Sequence, residues 1–274
     1  MQAKNIIGFI GAGKMAEAII SRILRVSSEP VKIIASDINP KRCSYMQDKY
    51  GILCVPSNIE VVKSTKTVFL AVKPQDMDKV LKEIASHATA DHIFISIAAG
   101  KKIASIESYL QKSRIMRIMP NLPVMVGEGM IVLTCGKHVS TADSRKVKEL
   151  LQSCGKVLEL SEDSFDAVTA LSGSGPAFFC YVLNAMATAS ASHKLPYKTA
   201  LFMAKQTMLG TARFLLEKNI EPEDFIASVA SPRGTTAAGL EVIDKKKVNK
   251  IFAEVITAAV KRSKELSDTL SKSK

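Results

Sequence analysis

The sequence predicts an α/β fold followed by an all-helical region: a doubly wound parallel sheet over residues 1–162, then helices over 163–274. Three observations carry this expectation. Short β-branched runs alternate with helical spacing up to about residue 160. A glycine-rich loop closes the first run and opens the first helix. Beyond Ser161 no strand pattern recurs, and "SEDSF" (161–165) marks the boundary.

Taken in order, "NIIGFI" (5–10) is a short apolar run, and Ala16, Ile19, Ile20, Ile23 and Leu24 follow at helical spacing. "VKIIASD" (31–37) reads as the next strand, and "NPKR" turns into a helix through about Tyr50. "ILCV" (52–55), "TVFLAV" (67–72), "IFISIA" (93–98) and "RIMRIM" (114–119) continue the strands, with helices at Asp76–Ser86 and Ile103–Leu110 between them. "GMIVLTC" (129–135) and "KVLEL" (156–160) complete the sheet around a helix at Ser144–Gln152. The later helices are expected at 176–192, 197–217, 222–229 and, as one long amphipathic element, from about Thr236 to Leu270.

Composition narrows the functional classes. At 274 residues, 47% hydrophobic and 23% charged, the chain can bury a core without disulfides. Its five cysteines are scattered and form no C-x-x-C, which suits reduced thiols in a cytoplasmic setting. The four histidines form no ligand motif, so no metal is expected. A net charge of +12, concentrated toward the C-terminal helix, reads as a solvated basic surface that also gathers anionic ligands. Aromatic residues are only 5% and tryptophan is absent, so no nucleic-acid partner is expected. The first 18 residues resemble no export signal. Ala167–Ser192 carries no charge, yet its glycine, proline, asparagine and serines fit a helix buried in protein better than one in lipid, so no membrane partner is expected.

Gly11-Ala12-Gly13-Lys14-Met15-Ala16 fits G-x-G-x-x-[GA] in the strand-to-helix context that a Rossmann-type dinucleotide site requires. Gly11 permits the tight turn, Gly13 lets backbone approach a pyrophosphate, and Ala16 lets the helix lie close on the sheet. Asp37 ends the second strand, where an acidic residue holds the adenosine ribose and favours NAD. Asn39, Lys41 and Arg42 just beyond it could instead hold a 2′-phosphate, so the choice stays open. Other loops at strand ends read "AVKP" (71–74), "IAAG" (97–100) and "MPNLP" (119–123). Lys73 is the lone cation among them and a candidate contact to cofactor or substrate.

"LSGSGPAFF" (171–179) suggests a nucleophilic serine, but Gly173-Ser174-Gly175 is too short for G-x-S-x-G and no strand precedes it. Close packing is the better reading: Pro176 suits a first helical turn, and the uncharged helix behind it suits a subunit interface. In "ASPRGTTAAGLEVI" (230–243), Gly234, Thr235 and Thr236 bring N–H groups and hydroxyls to a helix start, which would hold a small carboxylate.

Seven segments together resemble the pyrroline-5-carboxylate reductase family: "IGFIGAGKMAEAI", "LAVKPQ", "ISIAAG", "RIMPNLPVMVGEG", "DAVTALSGSGPAF", "AKQTMLGTA" and "VASPRGTTAAGLEVI". The resemblance runs the length of the chain. It implies an N-terminal Rossmann domain and a C-terminal helical dimerisation domain, with homodimers joined into larger rings such as decamers. It also implies reduction of a cyclic imine carboxylate to L-proline by NADP(H), or by NAD(H). Carried onto this sequence, Gly11, Ala12, Gly13, Lys14 and Met15 would bind the pyrophosphate. Asn58, Ala71, Val72, Lys73, Pro74, Ala98, Ala99 and Gly100 would line the rest of the cofactor. Ser172, Gly173 and Ser174 would lie beside the substrate, next to the dimer interface. Ser231, Gly234, Thr235 and Thr236 would form the substrate loop, with Thr236 near the ring nitrogen. Thr236 and Lys73 are thereby the candidate catalytic side chains.

Two departures stand out. Arg233 occupies a position where the family has glycine, so a backbone only glycine tolerates would be strained there, and Leu122 replaces a common threonine. A β-hydroxyacid dehydrogenase would need a lysine where this chain has Phe179. A reductase of another cyclic imine, or a nucleotide sensor without turnover, are the remaining alternatives.

Overall fold

The computed structural model describes residues 6–26 and 31–272. Asn5, expected to head the first strand, lies outside the described residues, as do 1–4 of the segment compared with export signals and 273–274 of the basic tail.

Strand and helix alternate as β1 (Ile6–Ile10), α1 (Lys14–Val26), β2 (Lys32–Ser36), α2 (Pro40–Tyr50), β3 (Leu53–Cys54), α3 (Asn58–Ser64), β4 (Thr67–Leu70), α4 (Met77–Ile84), β5 (Ile93–Ser96) and α5 (Ile103–Glu107). Then come β6 (Arg114–Met119), β7 (Gly129–Cys135), α6 (Thr141–Leu151) and β8 (Gly155–Glu159). The helical part comprises α7 (Phe165–Val168), α8 (Gly175–Ala191), α9 (Tyr197–Lys218), α10 (Pro222–Val229), α11 (Thr235–Lys245) and α12 (Val248–Lys272). The chain divides into two compact units, one of residues 1–174 with 259–274 and one of 175–258.

In the first unit the described strands form one eight-stranded sheet in the order β3-β2-β1-β4-β5-β6-β7-β8. Neighbours are parallel except β6 and β7, which run antiparallel. The doubly wound parallel sheet is therefore interrupted at one step. A parallel return needs a crossover of roughly a dozen or more residues, and the segment from Met119 to Gly129 holds only a short 3₁₀ turn at Leu122–Val126.

Side-chain alternation sorts the core onto the two faces of the sheet. Ile7, Phe9, Phe69 and Ile95 pack with Ala16, Ile19, Ile20 and Ile23 of α1. Ile10, Val68, Leu70 and Phe94 pack with Val61, Leu81 and Ile106 of α3 to α5. Phe9 and Phe69 stack with centroids 4.6 Å apart, joining β1 to β4 at mid-sheet. Local chemistry sets the helix ends: Asn39 caps α2 by accepting from the Lys41 N–H, Pro40 fills the first turn, and Gly51 closes it at φ +64°.

Two segments differ from the sequence reading, and a third is helical as expected but of an unusual kind. Helix α3 emerges where no helix was expected, capped by Ser57. The single long helix expected from Thr236 is instead α11 and α12, broken where Lys247 adopts φ +53°. Neither glycine nor proline stands at that break, so periodicity gives no sign of it. The stretch before Ser174 is a short helix followed by a π-helical turn over Thr169–Gly173, where Ser174 N–H reaches Thr169 O at 2.9 Å.

The regular elements of the second unit are all helices, with α8 and α9 packed together. Phe179, Tyr181 and Met186 of α8 and Phe202 of α9 are exposed on it. No helix among the described residues is long and apolar enough to cross a membrane.

His92 ties the sheet to α3 and yields a pH prediction. It is 3% exposed, its Nδ1 accepts the Thr89 N–H at 3.0 Å, and its Nε2 lies 3.0 Å from Val62 O. That pairing requires the neutral ring. Burial pushes its pKa below 6.5, against the opposing pull of the Val62 carbonyl. The unfolded chain therefore takes up the proton first as pH falls. The His92 contribution is full above about pH 6.5 and declines as pH drops toward the lowered folded value. Urea melts should show lower stability at pH 5.5 than at 7.5, with a smaller difference in His92→Asn; an equal difference in both proteins would remove His92 from this role.

Candidate functional site

The order of strands reverses direction between β1 and β4, and ligands of such sheets lie outside the carboxyl ends of strands at that point. There β1 ends and Gly11 turns the chain at φ +95°. A Cβ at Gly11 would sit 2.6 Å from Ala71 O, so both conformation and contact require glycine. Gly11 N–H donates to Ser36 O at 2.8 Å and Ala71 N–H to Ile10 O at 2.8 Å, which stitches the turn to β2 and β4. Ala16 is buried against the sheet. Gly13 is different: it is exposed, its φ is not positive, and nothing lies within 4 Å of a Cβ placed there. Neither backbone nor packing asks for glycine at 13. Open space remains over the N-terminus of α1, next to Lys14 and Met15, where free N–H groups favour an anion.

Asp37 stands beside this turn with both carboxylate oxygens engaged. Its Oδ2 accepts the Ala12 N–H at 2.7 Å and its Oδ1 the Asn39 N–H at 2.9 Å. Arg42 of α2 donates from Nε to Ala12 O and from Nη2 to Glu17 Oε2. Glu17, in the first turn of α1, is 9% exposed and also accepts from Tyr45, Lys49 and Tyr50 at 2.9, 3.1 and 2.8 Å. Burial alone would raise its pKa, but these donors, Arg42 first, overcome it and hold the carboxyl at about 2.

The remaining strand-end loops converge on the same edge. Ala71 and Val72 follow β4, and Lys73, exposed, opens a 3₁₀ turn at Pro74–Asp76. After β5, Ala98 is buried with its N–H on Ser96 Oγ at 3.3 Å, Ala99 is exposed, and Gly100 has φ +75°. Lys101 behind it is 2% exposed and pairs with Asp78 Oδ1 of α4 at 2.6 Å, which anchors this loop. Asn58, at the start of α3, accepts from Ser36 Oγ at 2.7 Å and donates to Glu83 Oε2 at 2.8 Å. Gly11–Met15, Asp37, Asn58, Ala71–Pro74 and Ala98–Gly100 thus gather at the carboxyl ends of β1 to β5.

Two further groups were singled out by sequence. Ser172 and Gly173 belong to the π-helical turn, and Ser174 closes it. Asn121, named in the sequence only as part of a loop, holds that turn: its Nδ2 donates to Ser172 O at 3.2 Å and its Oδ1 accepts the Met130 N–H at 2.9 Å. In the second unit, Gly234 N–H donates to Ser231 O at 2.9 Å, closing a turn with Pro232 and Arg233 at its centre. Arg233 has φ +61°, the left-handed conformation that type II turns give to glycine. A Cβ on Gly234 would meet Ser231 Oγ at 2.4 Å. Thr235 and Thr236 are exposed on the first turn of α11, where backbone N–H groups lack helical partners.

A glycine turn feeding a helix at the reversal of a doubly wound sheet defines a Rossmann-type nucleotide-binding unit. Residues 162–266 match the family model for pyrroline-5-carboxylate reductase dimerisation, and residues 6–100 that for NADP oxidoreductase, coenzyme F420-dependent. The chain is 37% identical over 263 residues to pyrroline-5-carboxylate reductase 3 of Rattus norvegicus, covering 95% of this chain and 96% of that protein. Among solved structures, a pyrroline-5-carboxylate reductase from Coxiella burnetii aligns with a TM-score of 0.89 at 32% identity, covering 95% of this chain and 98% of that one. The Plasmodium falciparum pyrroline carboxylate reductase with NADP bound aligns at 0.85 and 25% identity, covering 96% and 98%. The chain belongs to the pyrroline-5-carboxylate reductase family.

The open space at Gly13 gives a direct check on a dinucleotide. Gly13→Val meets no protein atom within 4 Å at its Cβ, so its Tm should match the wild type. Its affinity for NADPH and NADH, read by fluorescence titration, should fall about tenfold or more because the side chain occupies the phosphate approach. Unchanged affinity for both would mean the pyrophosphate lies elsewhere.

Proposed function

We propose that this protein reduces 1-pyrroline-5-carboxylate to L-proline, the last step of proline biosynthesis, with NADPH or NADH as reductant. The observation that carries this is the glycine turn at the strand reversal, in a chain matching pyrroline-5-carboxylate reductases over 95% of its length. When bound, the coenzyme supplies the hydride. The chain holds it with Gly11–Met15 at the pyrophosphate, Asp37 and Asn58 toward the adenosine side, and Ala71–Pro74 with Ala98–Gly100 beyond. Residues 1–162 act as the dinucleotide domain and 163–274 as the dimerisation and substrate domain. The exposed apolar side chains of α8 support a homodimer, and a ring of dimers such as a decamer is the assembly consistent with that role. The working compartment is the cytoplasm.

Substrate binding falls to the start of α11. Free N–H groups there meet the substrate carboxylate, and Arg233 adds a positive charge to the same turn. Ser172, Gly173 and Ser174 are further residues assigned to substrate binding, with Asn121 fixing their turn. The imine carbon becomes more electrophilic when its nitrogen is protonated or hydrogen bonded, and in this proposal the Thr236 hydroxyl is the donor. Lys73 contributes a cation near the reacting end of the coenzyme.

Coenzyme absorbance followed with pyrroline-5-carboxylate, its six-membered homologue and a 3-hydroxy acid tests the activity. Turnover should be fastest with the five-membered imine and undetectable with the hydroxy acid; the reverse order would overturn the proposal. Thr236→Ala and Thr236→Val should each lower kcat by about 100-fold, the low end for general acid–base roles. Wild-type turnover in both would exclude the role.

Arg233→Gly separates strain from binding. Releasing a left-handed arginine recovers about 1 kcal/mol, partly offset by the greater unfolded-state freedom of glycine. The variant should melt at or slightly above the wild-type temperature, while KM for the imine rises about tenfold at unchanged kcat. An unchanged KM would show that the guanidinium does not meet the carboxylate.

A further inference from the structure

The loop from β2 into α2 decides what the adenosine ribose would meet, and its one guanidinium is already committed. A ribose 2′-hydroxyl is best held by a carboxylate, and a 2′-phosphate by free guanidinium or ammonium groups. Asp37 is fixed in place by N–H groups of Ala12 and Asn39. The Asn39 side chain is occupied in capping α2 through the Lys41 N–H at 3.1 Å. Arg42 is folded back onto the glycine loop, with Nε on Ala12 O and Nη2 shared between Glu17 and Gly13 O. Its guanidinium lies 4.9 Å from the centre of the Tyr45 ring, which further holds its plane. Lys49 is turned the same way, to Glu17 and to the Tyr45 hydroxyl at 2.6 Å. Lys41, exposed in the first turn of α2, is the cation left over in this loop.

One acidic side chain therefore draws the arginine of this loop away from the place a 2′-phosphate would need it. Resting on the reading of the glycine loop as the dinucleotide site, we infer that Glu17 sets the coenzyme choice: by holding Arg42 against the loop it leaves the Asp37 carboxylate dominant at the ribose, and the enzyme binds NADH in preference to NADPH. Glu17 is a specificity residue acting through Arg42, since its own contacts are to α2. Its low pKa keeps the clasp closed throughout the neutral range, because the carboxylate stays charged.

Equilibrium titration of the full-length protein with NADH and with NADPH, without substrate, tests this apart from turnover. The wild type should bind NADH about tenfold more tightly, an estimate from one missing charge-assisted contact. Glu17→Gln, which preserves shape and still accepts from the tyrosines, should close most of that gap by strengthening NADPH binding, with NADH affinity within about twofold. Arg42→Ala should weaken NADPH no more than NADH, because the guanidinium is not a phosphate ligand. Equal or tighter NADPH binding by the wild type would overturn the inference, as would an Arg42→Ala loss confined to NADPH or a Glu17→Gln ratio equal to wild type. Failure of either coenzyme to bind would overturn the glycine-loop reading itself, and this inference with it. The wild-type ratio decides the coenzyme preference even if a variant does not fold.

Discussion

The near-contact between Gly11 and the Ala71 carbonyl is the constraint on which the first unit depends. With no room for a Cβ, β1 can leave the sheet only through a glycine at positive φ. That exit lets α1 lie close to the sheet, with Ala16 against it, and it aims the first turn of α1 outward from the strand ends. The same turn delivers Glu17 to α2, and so the position of Arg42 follows from how closely two strand ends pass one another. A substitution at Gly11 would disturb the ligand edge, the α1 packing and the charge cluster together.

The charges around that turn divide into fixed and poised groups. Asp37 is fixed by backbone donors, which orient it without neutralising it. Glu17 gains from lying at the positive end of α1 and from four side-chain donors, enough to offset its desolvation. Lys101 and Asp78 do comparable work on the far side of the strand ends, where a buried ammonium without its carboxylate would be costly. Most of the neighbouring backbone is therefore set by side chains that touch no ligand. This is the usual way a scaffold keeps a loop in one conformation.

The sheet was legible because β-branched runs and the glycine turn are local signals, and the strand-end loops could be grouped because topology dictates where strand ends meet. The direction of β7 was not, since it depends on how little chain separates it from Met119. Likewise, the π-helical turn at Thr169–Gly173 and the break at Lys247 have no compositional marker. At the site, Gly11 and Asp37 stand out by motif, whereas Glu17, Lys101 and Asn121 matter through partners distant in sequence. Asn121 and Ser172, for example, meet across 51 positions. Arg233 lies between these cases: the sequence showed a residue out of place, and the structure shows the torsion that makes it so.

The last turns of α12 belong with the first compact unit, where Ser263 Oγ donates to Asp166 Oδ1 at 2.6 Å. That unit is thus assembled from two segments of the chain, and 175–258 is an insertion between them. During synthesis Asp166 therefore waits for a partner made 97 positions later, and a fragment that stops before α12 leaves α7 without this contact.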